Sequence, residues 1–305
     1  MPDFEGSTLV GEPTTQGSLE WSIASDVGHV RSNNEDFARA ATVVRSRRQF
    51  AVWAVADGVG GGPEGERASA TAVETVVEYI CAKPWHDPAA ALTAAFELAN
   101  AAVFDITSEG RAATTLVVAV VSEWDGAVTV ANIGDSRAYL VADRQARQIT
   151  EDHSLVAARV AAGQMTAAEA RKAPDRNLLT RAVGSERIVQ VDVFGQVQLQ
   201  PSERLVLCTD GVHGMIEDEA IGLLAGGVPI EASAGALVAA ALAAGGLDNA
   251  TALVGGFAPS PNGARGGVDR RGRVAGLRRV LPSLRMPRAG RRRAGTETGT
   301  GEHRP

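Results

Sequence analysis

Six acidic residues stand where apolar runs meet loops: Glu35 and Asp36 in RSNNEDF, Asp57 in VADGVGG, Asp152 in TEDHS, Asp210 in CTDGVHG and Asp248 in GLDNATALV. Each has Gly, Asn or Ser close by, so backbone can approach and a turn can aim the carboxylate outward. A charged carboxylate at the end of a hydrophobic strand, left unpaired, costs several kcal/mol or more, so something positive is expected near it. Hard divalent cations such as Mg2+ or Mn2+ answer that need, because they take oxygen ligands in octahedral array at about 2.0–2.1 Å. One Asp-Gly pair alone reads as a turn. Two apolar strands, QFAVWAVADGVGG and RLVLCTDGVHG, that both run into Asp-Gly, with a third Asp just before a strand, read better as a metal-binding set.

Arg31, four residues before Glu35, lies in a segment too polar for a core strand. Beside acids that would repel any phosphate it is the natural anchor, since its planar fork takes two phosphate oxygens and stays charged. GDSRAYL, from Gly134, reads as a hairpin turn with a surface Arg, and Asp135 is therefore left out of the metal set. The two cysteines, Cys81 and Cys208, sit among apolar neighbours as small hydrophobes. The five His never group with Cys, which argues against zinc.

The elements that must hold these residues alternate irregularly. Strand patterns occur in LEWSIASD, DFARAATVV, FAVWAVAD, TTLVVAVVSE, AVTVANIG, RAYLVA, RQIT, IVQVDVFGQVQL, RLVLCTD and NATALVGGF. Helical spacing occurs in GERASATAVETVVEYICAK, in DPAAALTAAFELANAAVFDI after an Asp87 cap, in SLVAARVAAGQMTAAEARKA and in IEASAGALVAAALAAGG. Strands joined by short turns such as EWDGAV favour α+β over a doubly wound parallel sheet.

The 305 residues carry a net charge of −6, which conceals two halves. From Pro259 onward there are 12 Arg and 3 acids, whereas the preceding 258 residues hold 18 basic residues and 33 acids. An acidic body suits a protein that concentrates divalent cations. Residues 1–17 read as a flexible leader, 18–258 as the folded domain and 259–305 as a disordered Arg-rich tail that could contact acidic surfaces. The tail lacks aromatic residues for base stacking, so no specific nucleic-acid partner is expected. No long apolar run suggests a transmembrane segment and the acidic start lacks a secretory signature, so a cytoplasmic monomer is expected.

In order and spacing, SDVGHVRSNNEDF, AVADGVGG, ATTLVVAVV, ANIGDSRAYL, ITEDHSLV, RNLLTRAVG, LVLCTDGVHGMI and GLDNATALV resemble the bacterial metal-dependent Ser/Thr protein phosphatases of the PPM family, type 2C. The resemblance spans about Leu19 to Phe257. It implies a four-layer αββα sandwich of two antiparallel sheets flanked by helices, and hydrolysis of phosphoserine and phosphothreonine at a binuclear Mn2+ or Mg2+ centre with no covalent intermediate. It assigns Asp57 to bridge two metals, Gly58 to offer its carbonyl, Asp210 and Asp248 to hold the second metal, and Glu35 to act through water. Asp36 matches an acid that orients those waters, Arg31 matches the phosphate anchor, and Asp152 with Asp210 matches a third-metal position. Ser154 to Asn177 would form a flap beside the site. Partners would be phosphoproteins, the substrates of a bacterial Ser/Thr kinase. Gly62, Ala113 and Val59 depart from common family residues without removing a ligand, and His153 and His213 read as structural hydrogen-bonding groups. The alternative is an inactive interaction module on the same fold.

Overall fold

The computed structural model describes residues 19–60, 63–107 and 112–258. All belong to the first of two units, Met1–Pro259 and Ser260–Pro305. The leader, the Arg-rich tail and Gly62 lie outside the described residues. Eleven strands form two antiparallel sheets among the described residues. One sheet runs β1 (Leu19–Asp26), β11 (Ala250–Phe257), β10 (Arg204–Cys208), β7 (Arg137–Ala142), β8 (Gln145–Gln148). The other runs β2 (Asp36–Arg45), β3 (Arg48–Val59), β5 (Leu116–Ser122), β6 (Ala127–Ile133), β9 (Asp192–Gln198), with the two-residue β4 (Ala113–Thr114) on the end of β3.

The strand β3 explains the layering. Its side chains alternate faces, and both faces are buried: Val52, Ala54 and Ala56 join one core while Ala51, Trp53 and Val55 join another. The first core is closed by helices α1 (Pro63–Ala82) and α2 (Pro88–Ile106). The second lies between the sheets, where Trp53 meets Leu205, Leu207 and Leu253. A third core sits under α6 (Asp218–Gly227) and α7 (Ile230–Ala243), against Val206, Cys208 and Val254. Each large side chain removed from water this way contributes roughly 1.5–3 kcal/mol. The result is helix, sheet, sheet, helix, the α+β sandwich expected. Continuing the alternation of β3 by two residues puts Asp57 on the inter-sheet face, at one end of the sandwich.

Local signals hold in detail at α2, where the Asp87 side chain accepts from the Ala89 N–H at 2.9 Å ahead of Pro88. This helix is the one element among the described residues long and apolar enough to cross a membrane, and it packs on α1 with Leu92, Phe96 and Val103 buried. The helix expected over Ser154 to Ala173 is instead two short ones, α3 (Leu155–Ala161) and α4 (Ala167–Ala170). Gly163 between them takes φ +68°, and Thr166 and Glu169 form a capping box that restarts the chain. Helix α6 was not expected, because its glycines dilute the apolar spacing. One of them, Gly222, lies so close to the Arg144 carbonyl that a Cβ would intrude.

Candidate active site

At the end of the sandwich that carries Asp57, a cleft of about 150 Å3 is lined by Arg31, Glu35, Asp57, Gly58, Asp135, Asp210 and Asp248 among others. Asp36 stands opposite Asp57 in the β2–β3 register. Strand β3 does not end at its Asp-Gly pair: it continues to Val59, with Gly58 opposite Thr114 of β4. The second Asp-Gly pair is no turn either, since Asp210 opens the short helix α5 (Asp210–His213) directly after β10. Both glycines are there for close approach. A Cβ on Gly58 would collide with the Gly65 carbonyl, and one on Gly211 with the Asn249 carbonyl. The repeated Asp-Gly thus brings each carboxylate-bearing segment hard against a neighbouring backbone.

Asn249 ties the acids' loops together, a role its sequence context did not reveal. Its side-chain oxygen accepts from the Glu35 N–H at 2.9 Å, and its amide donates to the carbonyls of Val27 at 2.9 Å and Asn33 at 2.8 Å. The Glu35 carbonyl in turn accepts from the Gly58 N–H at 3.1 Å and the Ser69 hydroxyl at 2.6 Å. One buried asparagine therefore fixes loop 27–35 beside Asp248, and Glu35 links that loop to β3 and α1. On the other side the Thr115 N–H and the Thr114 hydroxyl donate to the Asp57 carbonyl, and the Asp57 N–H donates to the Thr115 hydroxyl at 2.9 Å.

The electrostatics record what this crowding does. Burial, then the neighbouring Asp36 and Asp210, hold the Asp57 carboxyl well above its ordinary range. Burial pushes Asp36 up to about 7, against hydrogen bonds from Thr251 and Thr209 that favour the charged form. Burial and Asp248 raise Asp210. Two of these oxygens, Asp36 Oδ1 and Asp210 Oδ1, are buried with no partner. Orphaned oxygens amid mutually repelling carboxyls, with no soft ligand nearby, are a donor set that fits hard divalent cations. Among the described residues no three acids are already drawn to ligating distance of one point, as expected of like charges without a cation between them.

Arg31 is the counter-charge at the rim. Its Nη2 donates to Asp248 Oδ2 at 2.8 Å, an exposed contact, and Asp57 and Glu35 also reinforce its charge. Next to the segment 154–177, expected as a flap, Asn177 and Leu179 line the cleft, and the Arg176 charge partly offsets the burial and the Asp248 charge that raise the Asp210 carboxyl. The two ends of that segment are tied by the Leu155 N–H donating to the Leu178 carbonyl at 2.8 Å.

Two expectations need correction. Asp152 does not line the cleft: Arg137 grips it through Nε at 2.9 Å and Nη2 at 2.6 Å, and Gln148 donates to it at 2.8 Å. Its charge is already answered, so it does not fit the third-metal role. Asp135, expected as a hairpin residue outside the metal set, lies in the cleft with Glu35, Asp57, Asp210 and Asp248, its carboxyl raised by burial and by Asp210. The Gly134–Ser136 link is not a hairpin, because it carries the chain from β6 in one sheet to β7 in the other, and Arg137 is largely buried.

Both histidines are held as structural groups. His213 Nε2 donates to the Asp135 carbonyl at 2.9 Å, and burial lowers its pKa to about 3. His153 Nδ1 accepts from the Gly134 N–H at 3.0 Å, so its Nε2 donates to Asp192, which is held by Arg181. Cys208 is buried and its thiol is pushed up to about 12 by burial, and no residue of the cleft is a cysteine.

A family model described as "Protein phosphatase 2C" matches residues 28–242. The chain is 33% identical over 247 residues to a "Serine/threonine phosphatase stp" of Listeria monocytogenes, an alignment that covers 75% of this chain and 92% of that protein. Among solved structures it resembles the PPM Ser-Thr phosphatase MsPP of Mycobacterium smegmatis in complex with cacodylate, with TM-score 0.69 and 35% identity over 79% of this chain and 100% of that one. It also resembles the catalytic domain of the phosphatase PstP in complex with two manganese ions, with TM-score 0.67 and 30% identity over 79% and 99% of the two chains.

Proposed function

Because the chain belongs to the protein phosphatase 2C family, enzymes that are metal-dependent serine/threonine protein phosphatases, we propose that the acidic cleft hydrolyses phosphoserine and phosphothreonine with two Mn2+ or Mg2+ ions. The single observation that carries this reading is the pair of orphaned oxygens, on Asp36 and Asp210, among carboxyls that burial and mutual repulsion hold above their ordinary range. Asp57, Asp210 and Asp248, with the Gly58 carbonyl and Glu35, would hold the ions, and Asp135 replaces Asp152 as a candidate for any further one. When bound, such a pair supplies a water acidified toward neutral pH and screens the charge of the phosphate.

The chain's own residues do the rest. Arg31 binds the phosphoryl oxygens and takes up charge as it spreads over them in the transition state, an interaction that strengthens where water is excluded. Only its Nη2 is engaged with Asp248, so the remaining N–H donors of the guanidinium are available to the phosphate. Asp36, hydrogen-bonded by Thr209 at 2.8 Å, keeps its second oxygen to orient water. The Asn249 bonds hold the loop that carries Glu35 beside Asp248, so drawing the carboxylates together requires side-chain movement rather than movement of the loops. No thiol or hydroxyl nucleophile is required, consistent with direct attack by water.

The substrates would be phosphoproteins made by a bacterial Ser/Thr kinase, acted on by a monomer whose catalytic domain spans 18–258. The test is turnover of p-nitrophenyl phosphate and of a phosphothreonine peptide with and without Mn2+. Metal-dependent release of phosphate is expected, and turnover that persists undiminished in excess chelator would overturn the reading.

A further inference from the structure

The loop 27–31 and the loop 245–248 are gripped together at two points, and between the grips each loop exposes one apolar side chain. The His29 N–H donates to the Gly246 carbonyl at 2.7 Å, and Arg31 donates to Asp248 at 2.8 Å. Val30 lies between the first members of these contacts and Leu247 between the second. They are 66% and 52% exposed. Val59, which lines the cleft at the end of β3, and Leu178, between the cleft residues Asn177 and Leu179, are 44% and 56% exposed. Single exposed hydrophobics are ordinary, but these four adjoin cleft residues in the chain: Val30 follows into Arg31, Leu247 into Asp248, Val59 follows Gly58 and Leu178 follows Asn177. Val30 and Leu247 thus sit on the paired loops that carry Arg31 and Asp248.

Resting on the reading above, we propose that these side chains form a substrate subsite that takes apolar residues beside the phosphoserine or phosphothreonine. The surface of the loops sets the preference: with the ions and Arg31 answering the cleft's acids, what a flanking residue can cover is Val30 and Leu247, so an apolar side chain gains by covering them, whereas a glutamate loses hydration there. The backbone of both loops is already fixed by the Asn249 bonds, so the shelf is presented without ordering a mobile segment, which limits the entropic cost of binding.

The experiment compares three phosphothreonine peptides of equal length, with leucine, glycine or glutamate on either side of the phosphoresidue, assayed with Mn2+. The expected order of kcat/KM is leucine over glycine by about fivefold or more, with glutamate lowest. In the Val30→Ser, Leu247→Ser double variant the leucine-to-glycine ratio is expected to fall toward one. Because the ratio is taken within one preparation, partial loss of folded protein does not affect it. Equal rates on the leucine and glycine peptides, a preference for the glutamate peptide, or a ratio unmoved in the double variant each overturns the subsite. Mn2+-dependent turnover of p-nitrophenyl phosphate, which has no flanking residues, reports separately on the hydrolytic reading, so the two can fail independently.

Discussion

Two Arg–Asp pairs lie at the same end of the sandwich and do opposite things. Arg137 and Asp152 are 17% and 13% exposed, joined by two guanidinium nitrogens, and further tied to Tyr139 and Gln148. Arg31 and Asp248 are 50% and 25% exposed and meet through one nitrogen. A buried bidentate pair is a finished piece of structure: neither partner can leave without stranding the other charge. An exposed single contact is worth about 0–1 kcal/mol and can open whenever a better partner arrives. On the proposed reading Arg31 and Asp248 are the pair kept for ligands, phosphate for one and metal for the other, while Arg137 and Asp152 brace the link from β6 to β7 that carries Asp135.

The sharpest way to break this contrast is to remove a reserved acid. Asp57→Asn or Asp210→Asn is expected to lower Mn2+-dependent turnover at least about a thousandfold, some 4 kcal/mol of transition-state stabilisation, with thermal unfolding without metal unchanged or improved because repulsion is relieved. Loss of folding together with activity would move these acids into the structural class. The mirror experiment is Arg137→Ala. Stranding Asp152 should destabilise by about 3–5 kcal/mol, a fall in melting temperature on the order of 10 °C for a domain of this size. If differential scanning calorimetry showed no change, the division would not hold.

A smaller effect is expected for Arg31→Ala, which should raise KM for phosphate esters on the order of tenfold, with a change in melting temperature too small to match that of Arg137→Ala. Steady-state kinetics beside a melting curve reads both. The finest test uses Asp36. Its folded pKa, about 7, is above the 3.8 of an ordinary aspartate, so in chelator the protonated form contributes stability that is fully present below about pH 4 and lost as pH rises through 7. Relative to wild type, Asp36→Asn should therefore gain stability as pH climbs across that window, measured by urea unfolding at fixed temperature. A difference that is flat with pH would mean Asp36 titrates normally.

The same contrast shows why the sequence was legible in part. The strands around Trp53 and Leu207 declare themselves, because residues buried on both faces must be apolar in unbroken runs. The cap at Asp87 and the acids at Asp57, Asp210 and Asp248 are equally local, set by neighbours within a few positions. The failures share a cause. SLVAARVAAGQMTAAEARKA has helical spacing throughout, yet Gly163 and the Thr166 cap divide it, and Asp152 and Asp135 sit in similar polar stretches that spacing does not rank.

What the amino-acid sequence determined by itself was the inventory: the strands, the long helices, an acidic body, and carboxylates placed where backbone can turn beside them. Which carboxylate is spent and which is kept was decided only by the tertiary structure. Arg137 and Asp152 are 15 residues apart, and they meet because β7 pairs with β8 and brings Gln148 and Thr150 alongside. Asn249 reaches Glu35 across 214 residues of chain. Coulomb and hydrogen-bond energies fall off over a few ångströms, so a side chain's partner depends on where the folded backbone carries it.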